Sequence, residues 1–134
     1  MTKQQLLALW QGNSWERSPA GIYFISCKSD KDLHFSFSGY SEKDVKSIPD
    51  ALMKRLATEI SELDQEALRL IKENFPEENI EGISFTDIMF DKSGCYDAFA
   101  LGYYVGESPA GELYLLVSFG EEFEANPEVI CEVY

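Results

Sequence analysis

Between positions 47 and 75 the apolar residues Leu52, Leu56, Ile60, Leu63, Ala67, Leu70 and Ile71 recur every third or fourth place. On a helix they form a single stripe, with polar and charged residues on the other sides. Pro49 and Asp50 suit a first helical turn and Pro76 cannot continue one, so the spacing predicts a helix over 47–75. At ~1.5 Å per residue it would extend roughly 40 Å, about twice a typical strand. A stripe of that length must be covered by something broad, and what flanks it in the chain reads as β-structure. Capping residues cluster from Ser61 to Asp64, and the helix is either continuous or broken there.

Before the helix, 22–27 and 33–38 read as a hairpin joined by the polar link 28–32. The second strand alternates strictly, with Leu33, Phe35 and Phe37 on one side and His34, Ser36 and Ser38 on the other, which sets one face to the core and one to water. After the helix come strand-like runs at 83–90, 97–105, 113–119 and 129–133. Asp91-Lys92-Ser93-Gly94 has a turn's Asp at the first place and Gly at the fourth. Phe99, Leu101, Tyr103 and Val105 are expected to face the core beside Leu113, Leu115, Val117 and Phe119. On the reverse, Ala98, Ala100 and Gly102 are small, which implies either a closely packed helix or an open platform.

The N-terminal Thr2-Lys3-Gln4-Gln5 resembles a capping box for a short helix to about Gln11, stopped by Gly12. Ser-Pro-Ala-Gly occurs at 18–21 and again at 108–111, each time before an apolar strand. Independent use of one good turn accounts for both. The expected fold is one α+β domain over 1–134, in the order α-β-β-α-β-β-β-β: an antiparallel sheet with a short N-terminal helix and the long helix across one face.

Residues that could carry chemistry are sparse. His34 is the one histidine, and no Gly-x-Ser-x-Gly elbow accompanies it. Cys27, Cys95 and Cys131 are too far apart for a zinc or disulfide framework and are expected to be buried thiols. The Asp91-to-Asp97 stretch lacks the alternating ligands and closing Glu of an EF-hand. No enzyme activity, metal or cofactor is therefore expected. The lack of a leader-like N-terminus or a membrane-length apolar run leads to the expectation of a soluble cytoplasmic protein, without a membrane partner.

Charge is the feature most out of the ordinary. Residues 1–75 hold ten Lys/Arg against eleven Asp/Glu, a net of −1, whereas residues 76–134 hold Lys92 alone against thirteen acids, a net of −12. Such a field repels nucleic acid and costs stability through self-repulsion, but it steers a basic protein partner into contact. A solvated acidic surface is the plainer reading. On the partner reading the contact acids are Asp91, Asp97, Glu107, Glu112, Glu121, Glu122 and Glu124, with Tyr96 and Tyr104 as aromatic anchors.

The run from Phe99 to Phe119, FALGYYVGESPAGELYLLVSF, followed by the acidic ending EVICEVY at 128–134, resembles the C-terminal part of a family of small bacterial cytosolic proteins of unknown function. These are similar in character to the immunity proteins of polymorphic-toxin and contact-dependent inhibition systems. The resemblance implies a non-enzymatic inhibitor that binds a cognate toxin domain, and it carries no catalytic residues. The rival expectation is a small-ligand or sugar-binding module using the Ala98/Ala100/Gly102 face, and a third is a general interaction module whose charge serves only solubility.

Overall fold

Seven strands lie in one sheet in the order in which the chain makes them. They are β1 (Glu16–Arg17), β2 (Ile22–Cys27), β3 (Leu33–Ser38), β4 (Ser84–Asp91), β5 (Phe99–Ser108), β6 (Gly111–Phe119) and β7 (Ile130–Val133). This computed structural model describes residues 16–17, 22–27, 33–79 and 82–133. The expected N-terminal helix, the turn at 18–21 and the link at 28–32 lie outside them. β1 falls between the expected N-terminal helix and the turn at 18–21, where no strand was expected.

The sheet is mixed, which corrects the antiparallel expectation. β3 and β4 run parallel, while every other neighbouring pair is antiparallel. The reason lies in the connection between them. A short helix, α1 (Glu42–Lys46), leads to α2 (Asp50–Asn74), whose 25 residues span about 38 Å. That crossover returns the chain to the end from which β3 set out, and strands joined in this way run parallel. Alternation within a strand reports its faces and is silent on its direction.

α2 is continuous, without a break at Ser61–Asp64, and Ile60 and Leu63 on either side of Ser61 are both buried. By composition 39–47 reads only as a polar connection, and α1 occupies it. Its signal was legible: the Ser41 hydroxyl accepts from the Asp44 amide at 3.1 Å, and the Asp44 carboxylate accepts from the Ser41 amide at 3.0 Å. That reciprocal pair is a capping box.

One face of the sheet and the stripe of α2 make the core. Phe35, Phe37, Ile88, Phe90, Phe99, Leu101, Tyr103, Leu115, Val117 and Phe119 join Met53, Leu56, Ala57, Ile60, Leu63, Ala67, Leu70 and Ile71 in one buried cluster. Each large side chain so buried contributes about 1.5–3 kcal/mol before entropy is counted. The expected facing of β5 and β6 holds, with Phe99 opposite Phe119, Leu101 opposite Val117 and Tyr103 opposite Leu115. A bulge between Tyr104 and Gly106 then sets Leu113 against Gly106 instead of Val105.

Polar contacts also tie α2 to the sheet and to the loop beyond β6. The Tyr103 hydroxyl, otherwise an unmet donor in the core, donates to Asp64 Oδ1 at 2.5 Å. Burial, and then the Asp64 charge, hold that phenol far above its ordinary pKa, so it stays a donor. Nearer the helix start, the Arg55 guanidinium lies 4.0 Å from the centre of the Phe123 ring and donates to the Glu122 carbonyl at 3.2 Å. This ties the β6–β7 loop down. Among the described residues no helix is long and apolar enough to cross a membrane.

Candidate binding face

The face of the sheet turned away from α2 is built from the alternate residues of the core strands. Because register is continuous from β3 to β7, these residues form rows. His34, Asp87, Gly102, Leu116 and Ile130 make one row; Ser36, Met89, Ala100 and Ser118 make the next. Tyr104, Tyr114 and Glu132 continue on one side and Ser38 and Asp91 on the other.

Among the described residues two clefts open on this face. The larger, about 360 Å³, is lined by Ser36, Ser38, Asp87, Met89, Asp91, Tyr96, Tyr114 and Glu132, together with Phe90. The second, about 330 Å³, is lined by His34, Thr86, Asp87, Tyr104, Glu112 and Tyr114. Asp87 and Tyr114 belong to both. Each volume falls within the range of small-molecule sites, with apolar surface prevailing in the larger cleft and polar surface in the smaller.

The small residues of β5 have a definite role here. The Tyr96 hydroxyl, from the β4–β5 connection, donates to Glu132 Oε1 on β7 at 3.1 Å. That bond spans β5 and β6, which on this face contribute Ala100, Gly102, Leu116 and Ser118, all buried. A Cβ added to Gly102 would lie 3.0 Å from Asp87 Cβ and 3.1 Å from Leu116 Cδ2. Gly102 is therefore neither open platform nor helix seat. It makes room for the neighbouring strands' side chains, and none of Ala98, Ala100 or Gly102 lines either cleft.

Electrostatically the face is acidic. Asp87 is the most enclosed of its carboxylates: Thr86 donates its hydroxyl to Asp87 Oδ2 at 2.6 Å, and His34 is its register neighbour on β3. Burial raises the Asp87 pKa above the ordinary carboxylate value, against the smaller lowering effects of Thr86 and His34. Asp91 is shifted the other way, mainly by Ser93, whose hydroxyl and amide donate to Asp91 Oδ1 at 2.6 and 2.8 Å. Tyr114 is pushed up to about 12 by burial and by the negative charges of Glu112 and Asp87. Its ring lies 5.4 Å from that of Tyr104.

A raised carboxylate pKa has a consequence for folding. The native protein holds the Asp87 proton more tightly than the unfolded chain does, so ionisation weakens folding. This contribution is most favourable below the ordinary carboxylate value and is lost as pH rises through the folded-state value. Asp87→Asn keeps the acceptor for Thr86 and removes the charge. It should stabilise the protein at pH 7 by on the order of 0.5–2 kcal/mol and steepen the rise of stability from acid to neutral pH, because the opposing contribution of Asp87 is gone. Urea unfolding of both proteins from pH 3 to 8 checks this, and a less stable variant at pH 7 would refute the account.

The expected contact residues do not form one surface. Asp91, Tyr96, Tyr104 and Glu112 line the clefts. Asp97, with φ of 58°, and Glu121, Glu122 and Glu124 are exposed at the end where β5 begins and β6 stops. Glu107 is exposed at the opposite end, in the β5–β6 hairpin, directly across from Glu112. The hairpin turn proper is only Pro109-Ala110, with Ser108 opposite Gly111. The thiol expectation is corrected for two of the three: Cys95 and Cys131 are exposed, Cys95 in the turn after β4 and Cys131 on the short last strand, while the side chain of Cys27 lies outside what is described.

Sequence reading missed Asp87, Met89, Tyr114, Glu132 and the placement of His34. Part of the signal was present, since Asp87, Met89 and Asp91 alternate with Ile88 and Phe90. Glu132 joins them through a pairing of β6 with β7 that no local pattern specifies. No protein-family model matches the chain, and no curated protein or solved structure shows significant similarity to it.

Proposed function

We propose that this chain works by binding, as an immunity protein that neutralises a basic bacterial toxin domain through the acidic face of its sheet. The observation that carries this reading is the clustering of Asp87, Asp91, Glu112 and Glu132 with Tyr96, Tyr104 and Tyr114 around two adjoining clefts. All of them come from the half of the chain with a net charge of −12. Carboxylates with tyrosines beside them supply both long-range attraction and rigid contact surface. Glu121, Glu122 and Glu124 lie outside the clefts and add to the steering field.

The test is whether the gene immediately upstream encodes a secreted protein with a variable C-terminal domain, and then protection against that domain and association kinetics with it. Reversing Asp91, Glu112, Glu121, Glu122 and Glu124 to Lys together is expected to slow association about tenfold or more at low salt and to flatten its salt dependence. Unchanged kinetics, or the absence of any protective effect by the native protein, would defeat the reading. A ligand-binding module is the second reading, favoured by the cleft volumes alone.

A further inference from the structure

Resting on the binding function above, we propose that the open edge of β7 is a docking strand, to which the partner adds an extended, basic segment of its own chain. β7 pairs with β6, and among the described residues no strand lies beyond it. The direction of its backbone groups follows from two neighbouring bonds. The Phe119 carbonyl accepts from the Ala98 amide at 2.9 Å, toward β5, and the Ser118 carbonyl accepts from the Asn126 amide at 2.8 Å, on the side of β7. Backbone groups alternate in direction along a strand, so Leu116 and Tyr114 also turn toward β7 and bond their register partners Ile130 and Glu132. The amides and carbonyls of Cys131 and Val133 are left pointing outward.

Sheet edges of this kind are ordinarily guarded by Lys, Pro or a bulge. β7 has an unbroken register without Lys or Pro, and its one charged side chain, Glu132, is drawn over the reverse face by the Tyr96 hydroxyl. On the core side of the sheet, shared with Leu115, Cys131 is exposed. Beside it Val133, 45% exposed, is the one large apolar side chain left open to water among the described residues. An added strand would satisfy the outward backbone groups and set its own alternate side chains against both.

Charge selects the occupant. The half of the chain that contains β7 has a net charge of −12, and Glu112 and Glu128, toward either end of the β6–β7 pair, are exposed. A segment with apolar residues at alternate places and Lys or Arg between them is complementary to that edge. A second copy of this chain is not. It would bring two molecules of charge −13 together through four residues each, where a stable interface takes about 20–30 residues a side.

The probe is the capped hexapeptide KVKVKV, added to the ¹⁵N-labelled full chain at low salt. Its controls are EVEVEV and KVKVKV N-methylated at the valines, which lacks the donors that would face β7. In the free chain the Cys131 and Val133 amides should exchange hydrogen at nearly open-chain rates, while those of Ile130 and Glu132 are protected. Saturating KVKVKV should slow exchange at Cys131 and Val133 about tenfold or more, and neither control should do so. Cys131→Pro removes an outward donor without touching the bonds to β6, and Val133→Lys places a guard on the edge. Each should abolish the effect with native amide dispersion retained. Protection of Cys131 and Val133 in the free monomer, equal protection by KVKVKV and EVEVEV, or no protection by any peptide would overturn the assignment. Shifts confined to Met89, Asp91 and Tyr114 would also overturn it, by moving the contact to the clefts. Self-association of the free chain that Cys131→Pro abolishes would overturn it in favour of a second copy. If the peptide test fails and the toxin domain is still neutralised, only the edge is lost; peptide pairing without neutralisation defeats the immunity reading instead.

Discussion

Phe99→Ala will be the most destabilising single truncation, lowering the free energy of unfolding by about 3–5 kcal/mol. Phe99 is 1% exposed and sits where strand, neighbouring strand and loop meet. Its ring stacks on Phe119 at 5.2 Å, meets Phe123 edge-on at 5.0 Å and lies 6.0 Å from Phe90. Phe123 depends on that contact in particular. It holds a φ of 61°, which a bulky residue adopts only when its surroundings compel it, and it is clamped from the other side by Arg55. Removing the Phe99 ring leaves a cavity and also releases the residue that anchors the β6–β7 loop. Against a typical total of 5–15 kcal/mol the loss is a large fraction. Urea unfolding should show a lower midpoint at unchanged slope. A loss below about 1 kcal/mol would mean that this corner is not packed as described.

Gly102→Val will destabilise by about 1–3 kcal/mol, although valine is a far better strand former than glycine. Were the β5 reverse face an open platform, the substitution would be neutral or favourable. In the structure it forces a branched side chain into space where even a single Cβ approaches Asp87 Cβ and Leu116 Cδ2 to 3.0 and 3.1 Å. Asp87 Cβ is fixed to the β4 backbone, and Leu116 is fully buried, so neither can withdraw freely. Gly102→Ala should lie between the two in thermal unfolding. The same substitution should disturb the clefts by displacing Asp87, which gives the measurement a second readout in the amide shifts of Met89 and Tyr114. A gain in stability for the valine variant would return Gly102 to the status of an exposed strand glycine.

Much of this fold was legible before any coordinate was known, and the legible parts share a cause. β2 and β3 have the limits expected of them, β3 from its alternation, and the later strands lie within a few residues of their expected limits. α2 follows the apolar stripe to within three residues at its start. Half-buried elements advertise their period because one side must avoid water. The Asp91–Gly94 turn follows from its residues as well: the Gly94 amide donates to the Asp91 carbonyl at 3.1 Å and Gly94 adopts a φ of 81°. α1 was missed only because a capping box of Ser41 and Asp44 was read as loop polarity.

The candidate face was only half legible, for a different physical reason. Asp91, Tyr96, Tyr104 and Glu112 were expected from charge and aromatic content, and they do meet around the clefts. Asp97, Glu107, Glu121, Glu122 and Glu124 were expected on the same grounds and do not. Net charge locates a half of the chain, whereas a site is set by which rows come into register. By itself the sequence determined which residues face the core, where the chain turns and how unevenly its charge is spread, because each follows from interactions among near neighbours. Only the tertiary structure decided that β3 and β4 run parallel, that Gly102 is a spacer, and that Asp87, Tyr96, Tyr114 and Glu132 share one cleft. Those depend on pairings across the α2 crossover and from the β4–β5 turn to β7, whose partners lie too far apart in the chain for any local pattern to connect them.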